Sequence, residues 1–183
     1  MSDKAHFHLN STVNKQNCHY WSPDNPHNIH QWPLHSDRVT VWCAVAPFGI
    51  IGPYFFEENG VTVTVNSAHY IEVITNFLQP ELCWRRINCT NVWLQEDGST
   101  AHTANKSMTI VQNMFPGHLI SRFGDMPWLP HSPDLSMCDF YLWGYLKSRV
   151  YTHKPCMLND LKEAIHHEIR PIDRQLLAHM DDF

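Results

Sequence analysis

The chain has 183 residues, which at ~150 residues per domain makes one domain with enough length for a real core. With 43% hydrophobic, 12% aromatic and 17% charged residues, 7 Gly and 12 Pro, its composition excludes collagen-like, coiled-coil and disordered classes. Lys plus Arg number 13 against 18 Asp plus Glu, a formal charge of −5 that argues against a freestanding basic nucleic-acid-binding module; the 14 histidines leave that balance sensitive to mild acid.

No stretch reaches the ~18–20 apolar residues of a membrane span, and the opening MSDKAHFHLN has no apolar signal-peptide core, so the chain reads as intracellular, with no membrane partner. The 6 cysteines contain no CxxC pair and are expected as reduced thiols. Cys18, His27, His30 and His35 lie near one another in sequence, but zinc sites use tighter, repeated ligand pairs.

In chain order, residues 5–9 (AHFHL) alternate weakly, as the tail of a strand, and residues 10–37 are loop-rich. Arg38 to Ala46 (RVTVWCAVA) and Ile50 to Phe56 (IIGPYFF) flank Pro47-Phe48-Gly49 and predict a β-hairpin whose first strand is buried on both faces. From Asn66 the apolar residues Tyr70, Ile71, Ile74, Phe77 and Leu78 recur at helical steps. Asn66 or Ser67 is the expected cap and Pro80 the expected end. Asn91 to Gln95 (NVWLQ) predicts a buried strand with Glu96 and Asp97 at its C-terminal end. Thr103 is expected to cap a helix over 104–114, ended by Pro116-Gly117. A strand over His118–Phe123 follows, then a Pro-rich loop (MPWLPHSPD) whose prolines forbid a central strand. Leu135 to Val150 and Leu158 to Ile169 predict amphipathic helices, and Pro171 suits the start of a last one. The order implies an α/β layer fold, helices packed on a mixed sheet.

Three isolated aspartates stand where strands end or helices begin: Asp3, Asp97 and Asp139. Carboxylates so placed can converge at one sheet edge, and oxygen ligands are what Mg²⁺ or Mn²⁺ requires. The same pattern also describes turn and cap residues, which is the better reading of Asp134.

The strings HFHLNSTVNKQNCHYW, RVTVWCAV, GIIGPYFFEE, LQEDGSTAHTA, HSPDLSMCDFYLWGYLK and VYTHKP resemble the catalytic domain of mariner-type transposases over nearly the whole chain, about residues 2–178. The resemblance implies an RNase H-like fold, one domain over 1–183, in which a triad of aspartates holds two divalent metal ions, Mg²⁺ or Mn²⁺. It also implies DNA strand cleavage and strand transfer, with water and then a DNA 3′-hydroxyl as nucleophile. By position the triad falls on Asp3, Asp97 and Asp139, as metal ligands and catalytic residues. DNA (transposon ends and target) is the implied partner, a homodimer the implied assembly and the nucleus the implied location. A retroviral-type integrase would end its triad on Glu, which Asp139 opposes. Trp42, Trp93 and Trp143 are expected in the core or buttressing loops, and for His102 packing, capping and catalytic roles stay open.

The chain departs from the family at Lys4, where Glu is usual beside the first aspartate, at Ser136-Met137-Cys138, and at Leu129 and His131. The resemblance further implies a first strand cut short at its start, a missing upstream helix-turn-helix region and a shortened end. Those features keep a second reading in view, a catalytically inactive transposase-derived remnant or interaction module.

Overall fold

Strand β2 (Arg38–Ala46) is the middle of the molecule in a computed structural model that describes residues 1–9, 37–128 and 137–172. It pairs antiparallel with β1 (Ser2–His8) on one side and β3 (Gly49–Phe55) on the other. Seven consecutive residues of β2 are buried, as its unbroken β-branched and aromatic run requires of a strand covered on both faces. The β2–β3 pairing shifts register between Trp42 and Ala44. Gly52 lies opposite this irregularity at φ +127°, and a Cβ there would meet the Trp42 carbonyl oxygen and Cys43 Sγ at 3.0 Å, so only glycine fits. Strands β4 (Glu57–Glu58) and β5 (Val61–Thr62) form a small antiparallel hairpin.

Because side chains alternate along a strand, β2 divides its residues between two cores. Val39, Val41, Cys43 and Val45 join Ala5 and Phe7 of β1 beneath α5 (Gly144–Val150) and α6 (Leu158–Ile169), against Leu146, Leu161 and Ile165. Trp42 and Ala44 face the other way, into a core with Tyr70, Ile74, Leu82, Leu94, Val111 and Phe115. That second core is enclosed by helices α1 (Ser67–Glu72), α2 (Gln79–Trp84), α3 (Thr100–Thr103) and α4 (Asn105–Met114). A second three-stranded sheet, β6 (Leu94–Gln95), β7 (Leu119–Ser121) and β8 (Met126–Pro127), is parallel throughout. The expected mixed sheet is therefore present as an antiparallel and a parallel ladder, which no strand pairing joins among the described residues.

Several boundaries differ from the sequence reading. Strand β1 is longer than its AHFHL tail and takes in Asp3 as its second residue. Pro80 does not end its helix. A π-helical stretch, Val73–Leu78, links α1 to α2, and Pro80 lies in the first turn of α2, where the wider turn accommodates a residue with no N–H to donate. Asn66 caps α1 as expected, its Oδ1 accepting from the His69 amide at 3.0 Å. Thr103 does not cap α4: its hydroxyl donates to the Ser99 carbonyl at 3.0 Å, and it closes the separate short helix α3. The strand expected over 91–95 is reduced to β6, preceded by a 3-10 turn at Cys89–Asn91. Pro127 occupies a two-residue edge strand, a place where a missing ladder donor is tolerated. The helix expected over 135–150 begins as a π-helix, Cys138–Trp143, and continues as α5, whereas α6 has the expected bounds. Trp93 is 44% exposed and packs at a tilt against His118 instead of entering a core. Cysteines 43, 83, 89, 138 and 156 are free thiols. Cys18, the His27–His35 group, Leu129, His131 and Asp134 lie outside the described residues.

Candidate active site

Asp3 lies near the start of β1, on the face shared with Ala5 and Phe7, and is 5% exposed. A buried carboxylate needs hydrogen-bond donors, and Trp143 supplies one: its indole Nε1 donates to Asp3 Oδ2 at 2.8 Å. Trp143 ends the π-helix whose first turn carries Asp139, so one element both anchors Asp3 and brings the third aspartate beside it. Trp143 also packs edge-on against Phe7, ring centroids 6.2 Å apart, which fixes the indole over the strand.

Asp97 follows β6, where the parallel ladder ends and the chain turns into α3. Its Oδ1 accepts from the Ser99 amide at 3.1 Å and lies 2.6 Å from His102 Nδ1. The imidazole is 1% exposed and rests against the Tyr70 ring, centroids 4.3 Å apart. Its approach to Asp97 is short, yet neither ring nitrogen meets a partner at good hydrogen-bond angles, so the contact is a close polar approach and not a directed bond.

Electrostatics connect the three acids. Burial pushes the Asp3 carboxyl up, and with the charges of Asp139 and Asp97 it reaches about 7 against the opposing Trp143 hydrogen bond. Burial also acts to raise Asp97, but the close His102 imidazole, the Ser99 amide and the charge of Lys4 outweigh it and hold this carboxylate well below the usual range. Beside it Glu96 is fully buried with neither oxygen hydrogen-bonded. Burial and then the Asp97 charge raise it to about 8, against the pull of the Met1 ammonium. The structure thus brings Asp3 into the field of both Asp139 and Asp97. It does not draw the three into a group whose ligand oxygens all lie within 4.8 Å, a closeness found among the described residues only at His153, His167 and Glu168.

A hard divalent cation fits this donor set. The carboxylates come from a strand, a strand-end turn and a helix start, and a cation near Asp3 would offset both the burial and the like charges of Asp139 and Asp97 that raise its carboxyl. The sequence pattern singles out the three acids, whereas the polar contacts of Trp143 with Asp3 and of His102 with Asp97 emerge only in the fold. The Trp143–Asp3 bond spans 140 positions, and no local pattern announces it.

No protein-family model and no curated protein matches the chain. Solved structures do. The crystal structure of the Mos1 mariner paired end complex with Mn superposes with TM-score 0.69 at 17% identity, over 97% of this chain and 49% of that one. The Mos1 strand transfer complex gives 0.65 at 19% identity, over 97% and 48%. The catalytic domain of Mos1 mariner transposase alone gives 0.61 at 17% identity, over 78% and 67%. The chain spans about half the length of the transposase chains in those complexes, and its fold is the RNase H-like fold of the Mos1 catalytic domain.

Proposed function

We propose that this chain is the catalytic domain of a mariner-type DNA transposase, with Asp3, Asp97 and Asp139 as the ligands of two Mg²⁺ or Mn²⁺ ions. The observation that carries the reading is the fold shared with the Mos1 catalytic domain, on which Asp3 senses the charges of both Asp139 and Asp97. Solved Mos1 structures include complexes with a transposon end and catalytic domains with Mn or Mg, which supports DNA and divalent ions as the partners here. Bound ions at such a site activate a hydroxyl nucleophile and stabilise charge in phosphoryl transfer. The chain's own residues do the positioning. Trp143 aims the Asp3 carboxylate from the core, His102 keeps Asp97 ionised, and Asp139 presents its carboxylate from the exposed first turn of a helix. The same reading makes transposon ends and target DNA the substrates, a homodimer the assembly and the nucleus the place of action.

Lys4 favours a second reading, a transposase-derived remnant that keeps the fold and cuts nothing. Its ammonium bears on Asp97, where it takes up part of the negative charge that a cation needs. Mn²⁺-dependent nicking of labelled duplex DNA distinguishes the two. Catalysis requires cleavage well above that of Asp97→Asn, whereas equal background from both proteins establishes the remnant.

A further inference from the structure

We propose that His153, His167 and Glu168 form a second metal site, for a borderline transition ion of the Zn²⁺ class, on the face of the molecule formed by α5, α6 and the turn between them. His153 closes the 3-10 turn Tyr151–His153, where Lys154 reverses the chain in a left-handed conformation at φ +46°. His167 and Glu168 lie in the last turn of α6. One nitrogen from each imidazole and one Glu168 oxygen lie within 4.8 Å of one another. Glu168 Oε1 stands 2.8 Å from His153 Nε2 and 3.3 Å from His167 Nδ1, and the two rings meet edge to face at 5.6 Å.

The geometry needs little change to take an ion. Zn–N and Zn–O bonds of about 2.0–2.2 Å in a tetrahedron put neighbouring ligand atoms ~3.3–3.4 Å apart, so the closer imidazole opens by about half an ångström as its nitrogen gives up a proton. Burial is asymmetric in a useful way. Glu168 is 4% exposed, and its other oxygen accepts from Arg149 Nε at 3.3 Å, which fixes the carboxylate as an outer partner does in a metal site. The imidazoles are open to solvent, 48% and 71% exposed, and border a cavity of about 600 Å³ also lined by Asp160, Glu163 and Arg170. Glu163, one turn before His167 on α6, or water completes the coordination. Two nitrogens and one carboxylate suit Zn²⁺, Co²⁺ or Ni²⁺ over Mg²⁺, which takes an all-oxygen shell. The site therefore differs in kind from the three aspartates and does not rest on the DNA-cleavage reading. A bound ion would fasten the 3-10 turn to the end of α6.

Isothermal titration of the full chain with ZnCl₂, in an Asp97→Asn/Asp139→Asn background that removes the aspartate site, tests this. One Zn²⁺ per chain is expected, weakened at least tenfold by His153→Gln and by His167→Gln, with Co²⁺ giving the visible absorption of a nitrogen-ligated ion. Should His153→Gln fail to fold, His167→Gln, at a mostly exposed side chain, carries the result. Absence of Zn²⁺ binding, or binding that both substitutions leave unchanged, overturns the site.

Discussion

Asp3 and Asp97 have the same side chain and opposite electrostatics, and the difference comes from what each neighbour can donate. Asp3 sits in the core with one indole donor against two like charges, whereas Asp97 is half-buried with an imidazole, an amide and a lysine in its field. Trp143→Phe keeps the ring and removes the donor. Loss of a hydrogen bond to a buried charged group costs about 1.5–3 kcal/mol, so the urea midpoint falls while the m-value holds, and the Asp3 carboxyl moves further up in a ¹³C NMR titration. An unchanged midpoint would mean that the indole holds its place by packing alone. Asp97 and Asp139 carry a signal in the sequence because each sits in a recognisable string, the one after the short strand β6 and the other in the first turn of a helix. Trp143, His102 and the Glu168 cluster carry none, since their significance lies in partners brought up by the tertiary fold.

Elements with one consistent signal were read correctly, and elements with competing signals were not. The β2–β3 hairpin and α6 carry clean periodicity between clear stops. Pro80 and Thr103 are strong local signals that longer-range packing overrode. Leu78 and Leu82, on either side of Pro80, are both buried in the core that holds Trp42 and Tyr70, and burying this apolar face outweighs a proline tolerated in the first turn of α2. Strand β6 was overread because only Leu94 and Gln95 of the NVWLQ run pair with a neighbour. At this scale Tyr151 ties the turn after α5 to the first strand, its hydroxyl donating to the His8 carbonyl at 2.9 Å. Tyr151→Phe is expected to cost about 0.5–1.5 kcal/mol. Burial raises the Tyr151 phenol above its usual 10.0 despite the His8 hydrogen bond. As pH climbs past 10 the unfolded chain releases this proton first, so stability present below pH 10 is progressively lost. Denaturation curves between pH 9 and 11 should show a shallower decline for Tyr151→Phe, and parallel declines would exclude the assignment.

For the whole molecule, the α/β class and the RNase H-like architecture were legible in advance, but the division of the sheet into two ladders was not, because hydrogen-bond partners between distant short strands leave no mark in composition or period. The −5 charge includes the three carboxylates of the candidate site, and a cation bound only by the folded chain must stabilise it. MgCl₂ at 100 times its dissociation constant is expected to add about 2.7 kcal/mol, read as a rise in Tm at constant ionic strength. Asp97→Asn or Asp139→Asn should abolish that rise, and a rise that survives both would place Mg²⁺ elsewhere. The sharing of β2 between two cores has a further consequence, in the order of assembly. The β2–β3 hairpin closes across the two residues between Ala46 and Gly49, whereas 29 residues separate His8 from Arg38, and the longer closure costs more entropy. Asp3 rides on the strand with the costlier closure, so local contacts build the hairpin before the first aspartate arrives. A chain caught midway in folding has a sheet but no assembled site, and strand exchange between two such chains would begin at β1.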